Sequence, residues 1–266
     1  MGQTNLCQFG RVLNFFEDGD LLPWLCVPQH LAHVLDGSAR DELLLTACAA
    51  SVTQGMIKAN ILPGDSVLII GDDVHSFIGS CFARSVGSDF VGIVARTERN
   101  MSTALLCGAS CFWSSYQAES VPSIHARIEM DVRRETNAAG ADVVVYTNGY
   151  DETCLPLNVA LDCLRPGGSL ILARSLEVDR DEAPSLHEAS RPHSNFLERI
   201  ISKQIRFIPV WGFSSAVFKQ TLEWLRCKVF DVSPALTNEV CMRIQSSELE
   251  EVSSLEDQLV GLLLVS

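Results

Sequence analysis

Asp65-Ser66-Val67-Leu68-Ile69-Ile70-Gly71-Asp72-Asp73-Val74-His75-Ser76-Phe77-Ile78-Gly79 is the stretch whose reading decides the fold. An unbroken apolar run ends in a glycine and a short polar loop follows. Ile78, Cys81, Phe82 and Val86 then recur at helical spacing. The pattern reads as strand, tight turn and helix. That is the opening of a nucleotide-binding βαβ unit, in which the turn and the helix N-terminus are shaped to receive a pyrophosphate.

Working outward, residues 41–58 place Leu44, Leu45, Cys48, Val52, Met56 and Ile57 on one side of a helix, with Asp41 and Glu42 suited to its N-terminal turn. Pro63-Gly64 turns the chain into the first strand. Downstream, strands are expected at 67–70, 90–95, 110–113, 142–146, 169–173 and 206–211. Helices are expected between them: one ending at 86, then 98–106, 124–136, 155–164 and 196–203, and a last amphipathic one over 214–227. Strands that are continuously apolar rather than alternating are covered on both faces, which is the parallel case. The expected fold is therefore α/β, a doubly wound parallel Rossmann sheet of six strands with right-handed crossovers.

The flanks read differently. In residues 1–45, Phe15, Phe16, Trp24 and Leu25 are apolar enough to be buried, yet Pro23 and Pro28 break the segment into pieces too short for a sheet of their own. Residues 174–195 are polar, contain Pro184 and Pro192, and are expected to form a surface excursion. After Val229 comes Pro234, a helix near 247–255, and the apolar run 259–265, which reads as a strand with no partner in the sheet.

Composition bounds the function classes. The chain has 266 residues and is 47% hydrophobic, enough for a full core. A formal charge of -13 and the scatter of Lys and Arg argue against nucleic-acid binding. No apolar run reaches the roughly 18 to 20 residues of a membrane span. The ten cysteines are scattered, and Met1-Gly2-Gln3-Thr4-Asn5 has none of the features of a secretory leader, so reduced thiols and a cytoplasmic location are expected. Cys107, Cys111, Cys154 and Cys163 offer no zinc-like pair of pairs and are expected to act as small apolar residues. None of the six histidines stands at a recognisable catalytic interval from an acid or a cysteine.

Several short stretches, in this order and at these separations, resemble the medium-chain dehydrogenase/reductase family, the zinc-type alcohol and polyol dehydrogenase group. They are Val27-Pro28-Gln29-His30, the helix from Cys48 to Lys58, Leu62-Pro63-Gly64-Asp65, Leu106-Cys107-Gly108-Ala109, Gly140-Ala141-Asp142-Val143-Val144, Leu164-Arg165-Pro166-Gly167-Gly168 and Trp211-Gly212-Phe213-Ser214. The resemblance implies a GroES-like barrel domain interrupted by a Rossmann domain. On that reading residues 1–45 are a barrel remnant, 46–228 the dinucleotide domain, and 229–266 the return to the barrel. Most of the N-terminal catalytic barrel has no counterpart here. Cys48 falls where the family's third catalytic zinc ligand stands, but its partner ligands are missing. Zinc is therefore not expected, since a catalytic site needs three protein ligands.

The pyrophosphate turn should read G-x-G-x-x-G. Here Gly71 is followed by Asp73 at the second position and Ser76 at the third. A carboxylate about 5 Å from a phosphate charge costs roughly 3 kcal/mol at an effective dielectric near 20. Two alternatives stand: Asp72 and Asp73 fill the anion site at the helix N-terminus themselves, or Asp73 swings outward while His75 or the helix amides meet the phosphate. At the end of the second strand Ala95 replaces the ribose-binding acid and Arg96 follows, which favours NADP over NAD. Thr147, Asn148 and Gly149 after the fourth strand, and Ala173 at the end of the fifth, are candidate nicotinamide-side contacts. No catalytic residue is assigned.

The function implied by the resemblance is an NAD(P)-dependent oxidoreductase acting without zinc on a small alcohol or carbonyl compound, working as a homodimer through the sixth-strand edge. The alternative is an inactive Rossmann remnant serving as a scaffold or partner subunit. A third reading, a methyltransferase, suits Leu164-Arg165-Pro166-Gly167-Gly168 but lacks the expected G-x-G after Ile70.

Overall fold

The computed structural model describes residues 41–114, 121–147, 157–173 and 196–236, the strands 241–244 and 262–265, and the isolated residues 6, 29, 32 and 33. A 3-10 helical segment, Asp41–Leu45, leads directly into α1, Thr46–Ala59. The sheet then forms in alternation: β1 Ser66–Ile70, α2 Val74–Val86, β2 Phe90–Ala95, α3 Met101–Leu106, β3 Cys111–Ser114, α4 Val121–Glu135 and β4 Ala141–Tyr146. It continues with α5 Leu157–Cys163, β5 Leu164–Ala173, α6 Phe196–Ser202, β6 Arg206–Val210 and α7 Ser215–Arg226. All five pairings are parallel and the strand order is β3-β2-β1-β4-β5-β6. This is the doubly wound order expected from the apolar runs.

Burial explains why those runs do not alternate. All five residues of β1 are buried, but they serve two cores. Val67 and Ile69 pack with Val52 and Met56 of α1, Phe77 and Ile78 of α2, and Leu222 and Leu225 of α7. Leu68 and Ile70 pack with Ile128 and Val132 of α4 and Val159 and Leu161 of α5. Helix α1 lies so close to the sheet that a Cβ at Gly55 would stand 2.6 Å from Ile171 Cγ2 and 2.9 Å from Val210 Cγ2. The segment before β1 is thus part of the Rossmann core.

Several expectations are corrected. The acidic residues Asp41 and Glu42 sit in the 3-10 segment, and the α-helix proper begins five residues later than residue 41. Strand β5 starts at Leu164 rather than 169, because its first residues pair with β4 through an irregular register between Ala141 and Val143. Gly140 makes that approach possible. At φ +94 its absent Cβ would fall 2.8 Å from the Cys163 carbonyl oxygen and 2.9 Å from the Arg165 nitrogen. The terminal strand β8, Leu262–Val265, stands outside the six-stranded sheet as expected, but what was not foreseen is β7, Cys241–Ile244, which pairs parallel to it in a separate two-stranded sheet. The excursion at 174–195 and the helix near 247–255 lie outside the described residues.

Candidate dinucleotide turn

The carboxyl ends of β1, β2 and β4 stand level, since Ile70 is in register with both Val94 and Tyr146. Strand order reverses between β1 and β4, so the crevice of the sheet opens here. Gly71 leaves β1 with its N–H still bonded to the Val94 oxygen at 2.8 Å, and the Thr147 N–H bonds the Ile70 oxygen at 3.0 Å. Every residue of the turn is therefore delivered by the two central strands.

Asp73 has extended backbone and caps α2. Its carboxylate turns inward. Oδ1 accepts from the Ser76 N–H at 3.0 Å, from the Ser76 hydroxyl at 2.7 Å and from the Thr147 hydroxyl at 3.0 Å. Oδ2 lies 3.0 Å from His75 Nδ1. The two hydroxyls are themselves 2.7 Å apart, and both side chains are fully buried. The Ser76 amide belongs to the group of helix N–H donors that a phosphate would need, and here an internal carboxylate takes it. Of the two arrangements left open by the sequence, this is the self-filled one. The outward swing of Asp73 is not found, and His75 faces Asp73 instead of standing ready for a phosphate.

The electrostatics follow from this packing. Burial alone would push the Asp73 carboxyl up, but the charge and hydrogen bond of His75 and the two bonds from Ser76 outweigh it and hold the group well below the usual carboxylate range. Burial would likewise lower His75, yet the Asp73 carboxylate keeps the imidazole well above its ordinary value. Cys48 on α1 adds a smaller push in the same direction. Cys48 is the third residue of α1 and is half-buried.

Asp72 does different work. It is buried, and its Oδ2 accepts from the Arg96 N–H at 3.0 Å and lies 3.4 Å from Arg96 Nε. Its carbonyl accepts from Asn100 Nδ2 at 3.3 Å. The loop after β1 is thereby laced to the loop after β2. The guanidinium of Arg96, expected to meet a 2′-phosphate, is drawn onto Asp72 through Nε.

The sequence-derived site is thus assembled in part. Gly71, Asp73, His75, Ser76 and Thr147 come together, and Arg96 stands one strand away against Asp72. Ala173, at the end of β5, is buried in the α1-side core. Asn148 and Gly149 lie outside the described residues. One expectation is corrected: one of the histidines, His75, does pair with an acid, Asp73. Among the described residues no group of three His, Cys, Asp or Glu side chains could hold a metal ion. An Asp-x-His at a helix start is a local signal that could have revealed the pair. Cys48, 27 residues upstream of His75, gave none.

No family model and no curated protein sequence matches the chain. Solved structures do. An alcohol dehydrogenase of Escherichia coli CFT073 complexed with NADH superposes with a TM-score of 0.74 at 15% identity, over 98% of this chain and 70% of that one. A structure from Sinorhizobium meliloti, described as a zinc-binding dehydrogenase and bound to NADP, gives 0.70 at 18%, over 94% and 66%. An alcohol dehydrogenase of a Thermus species gives 0.62 at 22%, over 86% of this chain and 60% of that one. The chain also covers only 59% of an alcohol dehydrogenase of Thermotoga maritima, so it spans less than two thirds of some of these proteins. The resemblance read from the short stretches holds at the level of the fold: the chain carries a Rossmann architecture shared with these dehydrogenases.

Proposed function

We propose that this chain is a dehydrogenase-type Rossmann module whose dinucleotide turn is closed by its own carboxylate, and that it acts as a non-catalytic scaffold or partner subunit. The observation that carries this reading is the inward Asp73, which uses the Ser76 amide and two buried hydroxyls at the place where a pyrophosphate would sit. A dinucleotide does not fit that conformation, because its phosphates would meet a carboxylate held ionised by His75. Zinc does not fit the described residues either, since no group of three His, Cys, Asp or Glu side chains among them could hold it.

Association suits the sheet's outer edge. β6 is a terminal strand carrying Pro209, which lacks a ladder donor, and Phe207 within it and Trp211 just after it stand exposed. A homodimer through this edge is the expected assembly, measurable by sedimentation. The division into a barrel remnant at 1–45, the module at 46–228 and a return segment at 229–266 belongs to the same proposal.

A second reading is favoured by one observation, the NADH and NADP held by solved proteins of this fold. It makes the chain a zinc-independent NAD(P)-dependent oxidoreductase for an alcohol or carbonyl substrate, with the half-exposed Arg96 side chain inclining it to NADP. Thermal melts with NADH and NADPH separate the two. At a hundred times Kd a ligand adds roughly 2.7 kcal/mol, a shift of about 5 °C for a chain of this size. The first reading expects no shift with the native chain at millimolar cofactor, and a shift once Asp73→Gly opens the turn. A clear shift with the native chain would overturn it in favour of the second.

A further inference from the structure

On one face of the sheet, α2 and α7 each begin with a side-chain cap, and the two caps differ in charge. At α7 the neutral Ser214 hydroxyl accepts from the Val217 N–H at 3.2 Å. At α2 the Asp73 carboxylate accepts from the Ser76 N–H at 3.0 Å, and its other oxygen lies 3.0 Å from His75 Nδ1. The imidazole and the carboxylate keep only 18% and 23% of their side-chain exposure, so solvent ions screen the pair weakly. The Thr147 hydroxyl, arriving from the end of β4, ties the same carboxylate to the sheet. One ionisable ring thus bears directly on the cap that closes the turn.

We propose that His75 is a proton-operated latch on the Asp73 cap: charged, it holds the carboxylate in the turn, and on losing its proton it lets the first turn of α2 open. The inference concerns regulation of the turn and rests on the closed-turn reading given above. Its sign follows from proton linkage. Burial would lower the imidazole, but in the closed turn the charge and hydrogen bond of Asp73 hold it well above its ordinary value. Once the carboxylate has left, the ring returns toward about 6.5. The closed form therefore binds the proton more tightly. Raising the pH above about 6.5 favours the open form by up to about tenfold per unit, until the closed form itself loses the proton. Below about pH 6 both forms are charged and the balance is level.

The groups around His75 leave this sign intact. Asp73 stands at the cap of its own helix, and Cys48 on α1 pushes in the same direction as the carboxylate. Lys58, at the far end of α1, lies ten residues beyond Cys48, about 15 Å along the helix axis. β1, β2, α3 and the 3-10 turn Ser233–Ala235 also pack on α2 and contain no titratable residue. At the neighbouring strand ends, Tyr146 packs into the core on the opposite face of the sheet, and Asp72 is committed to Arg96.

The test is amide hydrogen exchange on the full chain, without ligand, from pH 6 to pH 9, with each rate divided by the intrinsic rate of that amide at the same pH. Ser76 reports the latch, and Val217, under its neutral cap, is the reference. The opening constant at Ser76 is expected to be level to about pH 6.5 and to rise at least about tenfold by pH 9, while that at Val217 stays level. His75→Gln should abolish the rise and leave Val217 unchanged. Should that variant not fold, Asp73→Asn, which keeps a helix cap without its charge, must remove the rise as well. A Ser76 amide that is protected but indifferent to pH overturns the latch and leaves the closed-turn reading standing. A rise that persists in either variant overturns the latch too. A Ser76 amide unprotected at every pH overturns both, because the turn is then not closed.

Discussion

The two ends of the central strands each hold a carboxylate saturated with donors, and they use it differently. At the amino end, Asp142 accepts from the Ser66 N–H at 2.8 Å and the Ser66 hydroxyl at 2.7 Å, and pairs with Arg165. It thereby ties β1, β4 and β5 together at the edge where no ligand is expected. At the carboxyl end, Asp73 gathers its donors from α2 and β4, and its only cationic partner among the described residues is a histidine. Similar local chemistry therefore serves architecture at one end and fills a ligand seat at the other. A satisfied carboxylate says little about purpose until its strand end is known.

Replacing each acid separates the roles. Asp142→Ala should cost the most, about 2 kcal/mol, because it removes two bonds to a charged acceptor together with a half-exposed ion pair. Urea unfolding followed by circular dichroism would measure it. Asp73→Ala should cost about 1 kcal/mol, the loss of a helix cap, since Ser76 and Thr147 are already 2.7 Å apart and can bond each other. Equal losses would erase the contrast and make the carboxyl-end cluster structural as well.

Acidity sharpens the same contrast. Burial would raise Asp142, but the Ser66 bonds and Arg165 outweigh it and its pKa is lowered. A depressed carboxyl contributes stability that is present above its unfolded value, about 3.9, and is lost as pH falls through the folded one. The penalty of Asp142→Ala should therefore shrink below about pH 4. His75 has the opposite sign. Its folded value is raised, so its contribution is complete below about 6.5 and disappears as pH rises through the folded value. The smallest predicted effect is that native protein loses stability from pH 6 to pH 9 relative to His75→Gln; parallel curves would dissociate His75 from Asp73 energetically.

Much of the architecture was legible because it is written in local pattern. Continuous apolar runs located all six strands, and β2 falls on the expected bounds. What stayed hidden depends on tertiary approach. The early start of β5 needs Gly140 to let two backbones meet, and β7 is a short run whose pairing with β8 is non-local. In the site, the sequence identified Asp73 as the anomaly but not the direction of its carboxylate. That direction is set by Thr147, which arrives from β4, 74 residues away. Cys48 and His75 were each visible, but their meeting follows from α1 packing beside α2.

The cap on α2 has a further consequence, which is kinetic and competitive. Asp73 behaves as a tethered inhibitor: any anion entering the turn must first wait for the carboxylate to leave four donors. Every anion binding there is weakened by the free energy of opening, because apparent affinity falls with the open fraction. The turn then acts as a threshold, silent to scarce anions and responsive only to abundant ones.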